Sequence, residues 1–270
     1  MHAAACRESR GSGTSRYLRG MSGRRAKAER RVTRLTPLQE QAARIIATAD
    51  RMLALDLSYI PAAFDSQFII GWMRAAYEQS KVIATLTAQG LAHAAAPNRR
   101  AFVEIAFRLL WLRTLDVEQR GQVLEGFVAR EKNLTTGFYD TLKEMGYEHD
   151  VDLAAMDEVV ANMLEDKELR QQVKAVTDAA KAAPVTLGLF AAWREETQYT
   201  HATGHLAVAY APKTDDHRVG RDVPPTQHGG LETHHMVTFL VGTLVAELLE
   251  DAGLSQKAVE PILFTAWNAV

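Results

Sequence analysis

Apolar residues in this chain return at every third or fourth position, and no stretch alternates with period two. That period confines the backbone to helices, because one helical face repeats at about 3.6 residues. From Pro37, the residues Ala43, Ile45, Ile46, Met52, Leu53 and Leu55 predict a helix over 37–58. Thr36-Pro37-Leu38-Gln39 reads as its start: an N-cap, a proline at the first helical position, and a glutamine placed to close a capping box. A second helix is expected over about 65–89, with Phe68, Ile69, Trp72, Met73, Ala76 and Val82 on its apolar side and a stop or bend at Gly90. Segment 99–115 is apolar around most of its circumference (Phe102, Ile105, Phe107, Leu109, Leu110, Trp111) and reads as the central helix.

The rest of the chain keeps the same period. Segment 117–144 has charges at short intervals and apolar Val123, Leu124, Phe127 and Val128, the pattern of a peripheral helix. Residues 151–182, rich in Ala, Asp and Lys, read as one or two exposed helices, and Pro184 opens a long helix over 185–210. A loop over 211–230 precedes an apolar helix at 231–250 and a short one at 256–268. There is no hairpin signal, internal repeat or interdomain linker. The expectation is an all-α, single helical bundle of about seven to eight helices filling one domain, 35–270. A chain of 270 residues is long enough to bury such a core.

Charge is unevenly placed. Ten of the 31 Lys and Arg, but only two of the 33 Asp and Glu, lie in residues 1–34. That leaves 21 basic and 31 acidic residues in 35–270, a net of −10 for the body. An acidic body argues against a broad nucleic-acid surface but not against a small local site. Residues 1–34 read as a disordered basic leader, with a transit peptide or a nucleic-acid-binding arm as alternatives and Met21 as a second start. The single cysteine, Cys6, excludes an intramolecular disulfide and fits a reducing, cytoplasmic setting. No run of 18 apolar residues predicts a membrane span, and no secretory signal is visible.

The densest chemistry lies in Trp193-Arg194-Glu195-Glu196-Thr197-Gln198-Tyr199-Thr200-His201. Arg194 and His201 are seven residues apart, nearly two helical turns, so they share a face, with Thr197 between them. An imidazole can move a proton near neutral pH, and a fixed guanidinium can hold charge developing on phosphate oxygens. The pattern therefore suits phosphodiester cleavage. A salt bridge from Arg194 to a neighbouring helix would explain the same spacing without catalysis.

This stretch resembles the aromatic-Arg-x-x-Ser/Thr-x-x-x-His signature of the all-helical family catalogued as domain of unknown function 5677, itself similar to the HEPN (higher eukaryotes and prokaryotes nucleotide-binding) superfamily. A second element is similar too: Arg100-Ala101-Phe102-Val103-Glu104 resembles the Arg-x-x-x-Glu that opens that family's buried central helix. Arg100 and Glu104 sit one turn apart, spaced to pair with each other or to reach the Arg194 helix. The resemblance spans about residues 40–250. It implies a HEPN-like core, RNA or a nucleotide as partner, a homodimer, and metal-independent endoribonuclease chemistry. In that chemistry His201 is the general acid/base, Arg194 binds phosphate, and Glu104 with Arg100 orients them. Glu195 departs from the Asn, Asp or His that follows the arginine in many such motifs. Other members of the superfamily are non-catalytic scaffolds, so a helical interaction or defence-associated module with a buried polar network is the alternative.

A third reading uses histidines, six of which fall between 201 and 235. His201 and His205 are one turn apart, and His234-His235 lie on the next helix near Glu232, the spacing a metal-dependent bundle enzyme would use. His228, His234 and His235 are equally readable as water-exposed residues of the loop and helix start. No cofactor is expected: Gly229-Gly230 reads as a turn rather than a phosphate loop, and no Ser or Cys nucleophile motif is visible. Trp72, Trp111 and Trp267 occupy apolar helical positions and read as core.

Overall fold

The computed structural model describes residues 35–147, 166–224 and 230–268, the side chains of 132 and 133 apart. The expectations for residues 1–34 and 151–165, and for His228, lie outside that range. Among the described residues the chain is all-α, with ten helices, more than the seven to eight expected. They are α1 (Pro37–Leu53), α2 (Phe64–Ala88), α3 (Ala96–Arg113), α4 (Val117–Glu144), α5 (Lys167–Lys174), α6 (Val176–Ala182), α7 (Leu187–Thr200), α8 (Gly204–Tyr210), α9 (Leu231–Asp251) and α10 (Gln256–Trp267). Short 3₁₀ turns at Ala92–Ala95 and Pro184–Thr186 lead into α3 and α7. The only β feature described is an isolated antiparallel bridge between Lys213 and Val219.

The differences from expectation have local causes. Helix α1 ends at Leu53 rather than 58. Beyond it, the Ser58 N–H donates to Asp56 Oδ1 at 3.0 Å, and Pro61 disfavours helix at the residue before it, so Leu57 and Ile60 turn into the core instead. Helix α3 starts three residues early because Pro97 sits in its first turn, where its missing N–H costs nothing. The single 185–210 helix is in fact two. His201 is extended (φ −111°, ψ 158°), and Thr203 then caps α8 by accepting the Leu206 N–H at 3.1 Å. Gly90 does end α2, in the left-handed conformation (φ +76°) that a side chain disfavours.

Helices α2, α3 and α9 pack against one another at the centre. Each carries an outer partner: α1 on α2, α7 on α3, and α10 on α9. Trp111, Tyr77, Phe102, Phe107 and Met73 are fully buried there. Tyr77 crosses from α2 to α9, its hydroxyl donating to the Thr238 carbonyl at 3.1 Å, and burial raises its pKa. Gly242 permits the close approach of α9. A Cβ at that position would lie 2.6 Å from the Ala266 Cβ and 2.9 Å from the Tyr77 hydroxyl. Helix α4 opens with a capping box between Asp116 and Gln119, and Arg120 ties it to Asp251 of α9 at 2.9 Å.

Two expectations about the core need correcting. Trp111 is core and Trp72 packs against it, but Trp267 is 62% exposed on the last turn of α10. Val82 lies outside the core, whereas Tyr77 and Ile83 on the same helix are inside. No described helix is long and apolar enough to cross a membrane.

Candidate functional site

Helices α3 and α7 pack closely together, and their interface holds polar residues in two rows. Arg99 and Arg100 are consecutive, so their side chains leave α3 about 100° apart and enter different rows.

The outer row contains the residues that the sequence motifs single out. Arg100 Nε donates to Thr197 Oγ1 at 3.2 Å, and its Nη2 lies 3.9 Å from Glu104 Oε2. Glu104 also accepts from Arg108 at 2.6 and 3.1 Å and from the Trp193 indole N–H at 3.0 Å. The Arg100 guanidinium lies over the Trp193 ring, 5.5 Å from its centroid, and Arg108 lies over Phe127 at 4.5 Å. Burial works to raise the Glu104 pKa, but the charge and hydrogen bonds of Arg108, the Trp193 N–H and the charge of Arg100 outweigh it. Its carboxyl is held below the usual range. Arg100, Glu104 and Thr197 are therefore brought together, with Arg108 and Trp193 as partners that sequence reasoning did not assign.

Arg194 and His201 are not part of this network. Both are exposed, Arg194 on the outward side of α7 and His201 at its C-terminal end. Thr197 lies between them in sequence, and its hydroxyl donates to the Trp193 carbonyl at 2.7 Å; His201 follows the last residue of α7 with an extended backbone. No salt bridge from Arg194 to a neighbouring helix is present among the described residues.

The inner row was not foreseen. Arg99 Nε donates to Glu196 Oε1 at 2.6 Å, and Arg99 Nη1 donates to the Ala92 carbonyl. Both side chains are nearly inaccessible, 11% and 5% exposed. Glu196 Oε2 is buried with no hydrogen-bond partner among the described residues. Nearby, His234 of α9 shares a 2.8 Å hydrogen bond with Ser80 Oγ and packs on Phe102, ring centroids 4.5 Å apart. Burial, then the neighbouring charges of His235 and Arg99, push its pKa down to about 3, so the imidazole is neutral at ordinary pH.

The inner row borders a cavity of about 230 Å³ between α3, α7 and α9. Phe102, Val103, Leu189 and Val237 give it apolar walls. Arg99, Glu196 and His234 supply its polar groups, and exposed Gly188 and Thr233 mark its rim.

The histidines of the metal reading do not assemble. His234 is in the core contact with Ser80, His205 is exposed with Nε2 3.2 Å from the Tyr199 hydroxyl, and His201 is exposed at the α7 end. His235 is half-buried, its pKa lowered by burial and by Arg44. Among the described residues no group of three or more His, Cys, Asp or Glu could hold a metal ion. The break at His201 explains why: it takes His205 off the continuous helix that would have paired the two.

Two signals for the inner row were present in the sequence. Glu196 continues the stripe Leu189-Ala192, and His234 continues Leu231 towards Thr238 and Val241, so each is a polar residue on a core-facing line. Comparison with known proteins adds nothing to the geometry: no family model, curated protein or solved structure matches this chain.

Proposed function

We propose that the exposed stripe of α7 engages the phosphate of RNA or of a nucleotide, in the manner of a HEPN-like, metal-independent endoribonuclease. The observation that carries the reading is the Arg100–Thr197 hydrogen bond. It puts a second guanidinium against Thr197, which lies between Arg194 and His201 in sequence, with His201 at the exposed C-terminal end of the same helix. Arg194 and Arg100 hold phosphate oxygens, and His201 moves the proton between the attacking 2′-hydroxyl and the leaving oxygen. Glu104 holds Arg100 and Trp193 in place. The similar superfamily builds composite sites from two chains, so the proposal includes a homodimer, which sedimentation velocity checks.

RNA cleavage by the purified chain, with and without chelator, tests this reading. Cleavage that survives chelator and is lost in both His201→Ala and Arg194→Ala, each folded, is the expected result. Chelator-sensitive cleavage, or cleavage indifferent to both substitutions, removes it.

A second reading has its own observation. The outer row satisfies Glu104 with Arg100, Arg108 and Trp193, which is how a non-catalytic helical interaction module would use the same residues to lock α3 against α7. Wild-type protein inert on several RNAs, with Glu104→Ala strongly destabilised, favours it.

A further inference from the structure

The inner row and its cavity play no part in phosphate chemistry on the outer stripe, and their composition points elsewhere. Buried carboxylate oxygens are normally satisfied, and one left without a donor is costly, by about 1–3 kcal/mol or more for a charged group. Glu196 Oε2 is such an oxygen. Its charge is already compensated, because Arg99 holds the other oxygen at 2.6 Å. What it lacks is therefore a hydrogen-bond donor, not a cation.

The space beside it suits an organic molecule. A volume of about 230 Å³ exceeds the roughly 30 Å³ share of one water several times over. Its walls are mostly aliphatic and aromatic, which favours an apolar body over a chain of waters. Neutral His234 is engaged by Ser80 and packed at a tilt against Phe102, so it closes one end without adding charge. The exposed rim at Gly188 and Thr233 gives a way in.

We infer that the cavity between α3, α7 and α9 binds a compact, mainly apolar small molecule that carries one N–H or O–H donor, which it presents to Glu196 Oε2. The Arg99–Glu196 pair fixes the carboxylate so that only one oxygen is offered, and the cavity walls set the size of ligand admitted. The site is independent of the α7 outer stripe, and either can fail without the other.

The test uses the full chain and matched probes: indole and phenol as donors, with 1-methylindole and anisole as the same bodies lacking the donor. Titration calorimetry and thermal shift are run on wild type, Glu196→Gln and Gly188→Trp. The Gly188 change leaves the ion pair alone and starts from open space, since nothing lies within 4 Å of a Cβ there. It therefore keeps the test valid if Glu196→Gln fails to fold. The expected result is that at least one donor probe binds wild type and raises its Tm. Its methylated partner binds at least about tenfold more weakly, as loss of a hydrogen bond to a charged group requires. Gly188→Trp abolishes binding with the fold intact. Equal binding of donor and methylated probes, binding that survives Gly188→Trp, or no binding of any probe at millimolar concentration overturns the inference. RNA cleavage measured on Gly188→Trp stays at the wild-type level, which separates this site from the α7 stripe.

Discussion

Arg99 and Arg100 are adjacent in sequence and identical in chemistry, yet one lies in a buried row and the other in a half-exposed one. In the outer row Arg100 is 29% exposed and Glu104 24%, and Glu104 has donors from two side chains, Arg108 and Trp193, with the Arg100 charge 3.9 Å away. In the inner row a single arginine meets a single glutamate, and one carboxylate oxygen is left without a donor. A shared carboxylate at the edge of solvent is a brace, because water can replace any one partner. A desolvated pair with an open valence beside a cavity has no such reserve. The difference teaches that burial, more than the number of contacts, decides what each arginine is worth.

Removing each arginine gives the largest contrast. Arg99→Ala leaves Glu196 as an uncompensated buried charge and is expected to cost about 3–5 kcal/mol. Arg100→Ala leaves Glu104 with Arg108 and the Trp193 N–H in a partly wet setting and is expected to cost about 1 kcal/mol or less. Chemical denaturation of both variants decides the matter. Equal costs would break the distinction between the rows.

Acid sharpens it next. The folded pKa of His234 lies far below its ordinary 6.5, so the unfolded chain takes up this proton first. Its contribution to stability is complete above pH 6.5 and is lost as pH falls towards 3. Glu104, with a pKa depressed from 4.5, loses its own contribution only below that value. Between pH 6.5 and 5 the loss therefore comes from His234 together with His235, whose pKa is also lowered, and not from Glu104. One buried neutral imidazole contributes a loss of about 1.5 kcal/mol over that interval. His234→Gln, which retains a polar partner for Ser80, is expected to flatten the pH profile there, leaving the slope from His235. Denaturation midpoints at half-unit pH steps measure it, and an unchanged slope in the variant would place the titration elsewhere.

How legible these rows were in the sequence follows from their geometry. The helical period and the stop at Gly90 were readable because each depends on residues close together in the chain or on one repeated spacing. Arg100, Glu104 and Thr197 were readable because a resemblance pointed at them. Arg99 and Glu196 lie 97 residues apart, and no local pattern says which of the doublets Arg99-Arg100 and Glu195-Glu196 turns inward. The stripe positions of Glu196 and His234 hold that information, yet a polar residue on an apolar line is easily taken for the edge of the stripe. The break at His201 was missed because Thr203-Gly204 was read as helix interior, although a threonine before a glycine is also how a new helix begins.

The smallest expected effect is on the α7 stripe itself, and it bears most directly on function. Arg194 and His201 are exposed and stand outside both rows, so Arg194→Ala and His201→Ala are expected to change stability by no more than about 0.5 kcal/mol. A residue that contributes nothing to the fold but abolishes RNA cleavage when removed acts on substrate. A residue whose removal costs stability as well leaves the two roles entangled. Thermal unfolding measured beside the cleavage assay separates these cases. If either substitution costs more than about 1 kcal/mol, the stripe is a third structural seam, and the contrast between a braced outer row and an open inner one is left to explain the site alone.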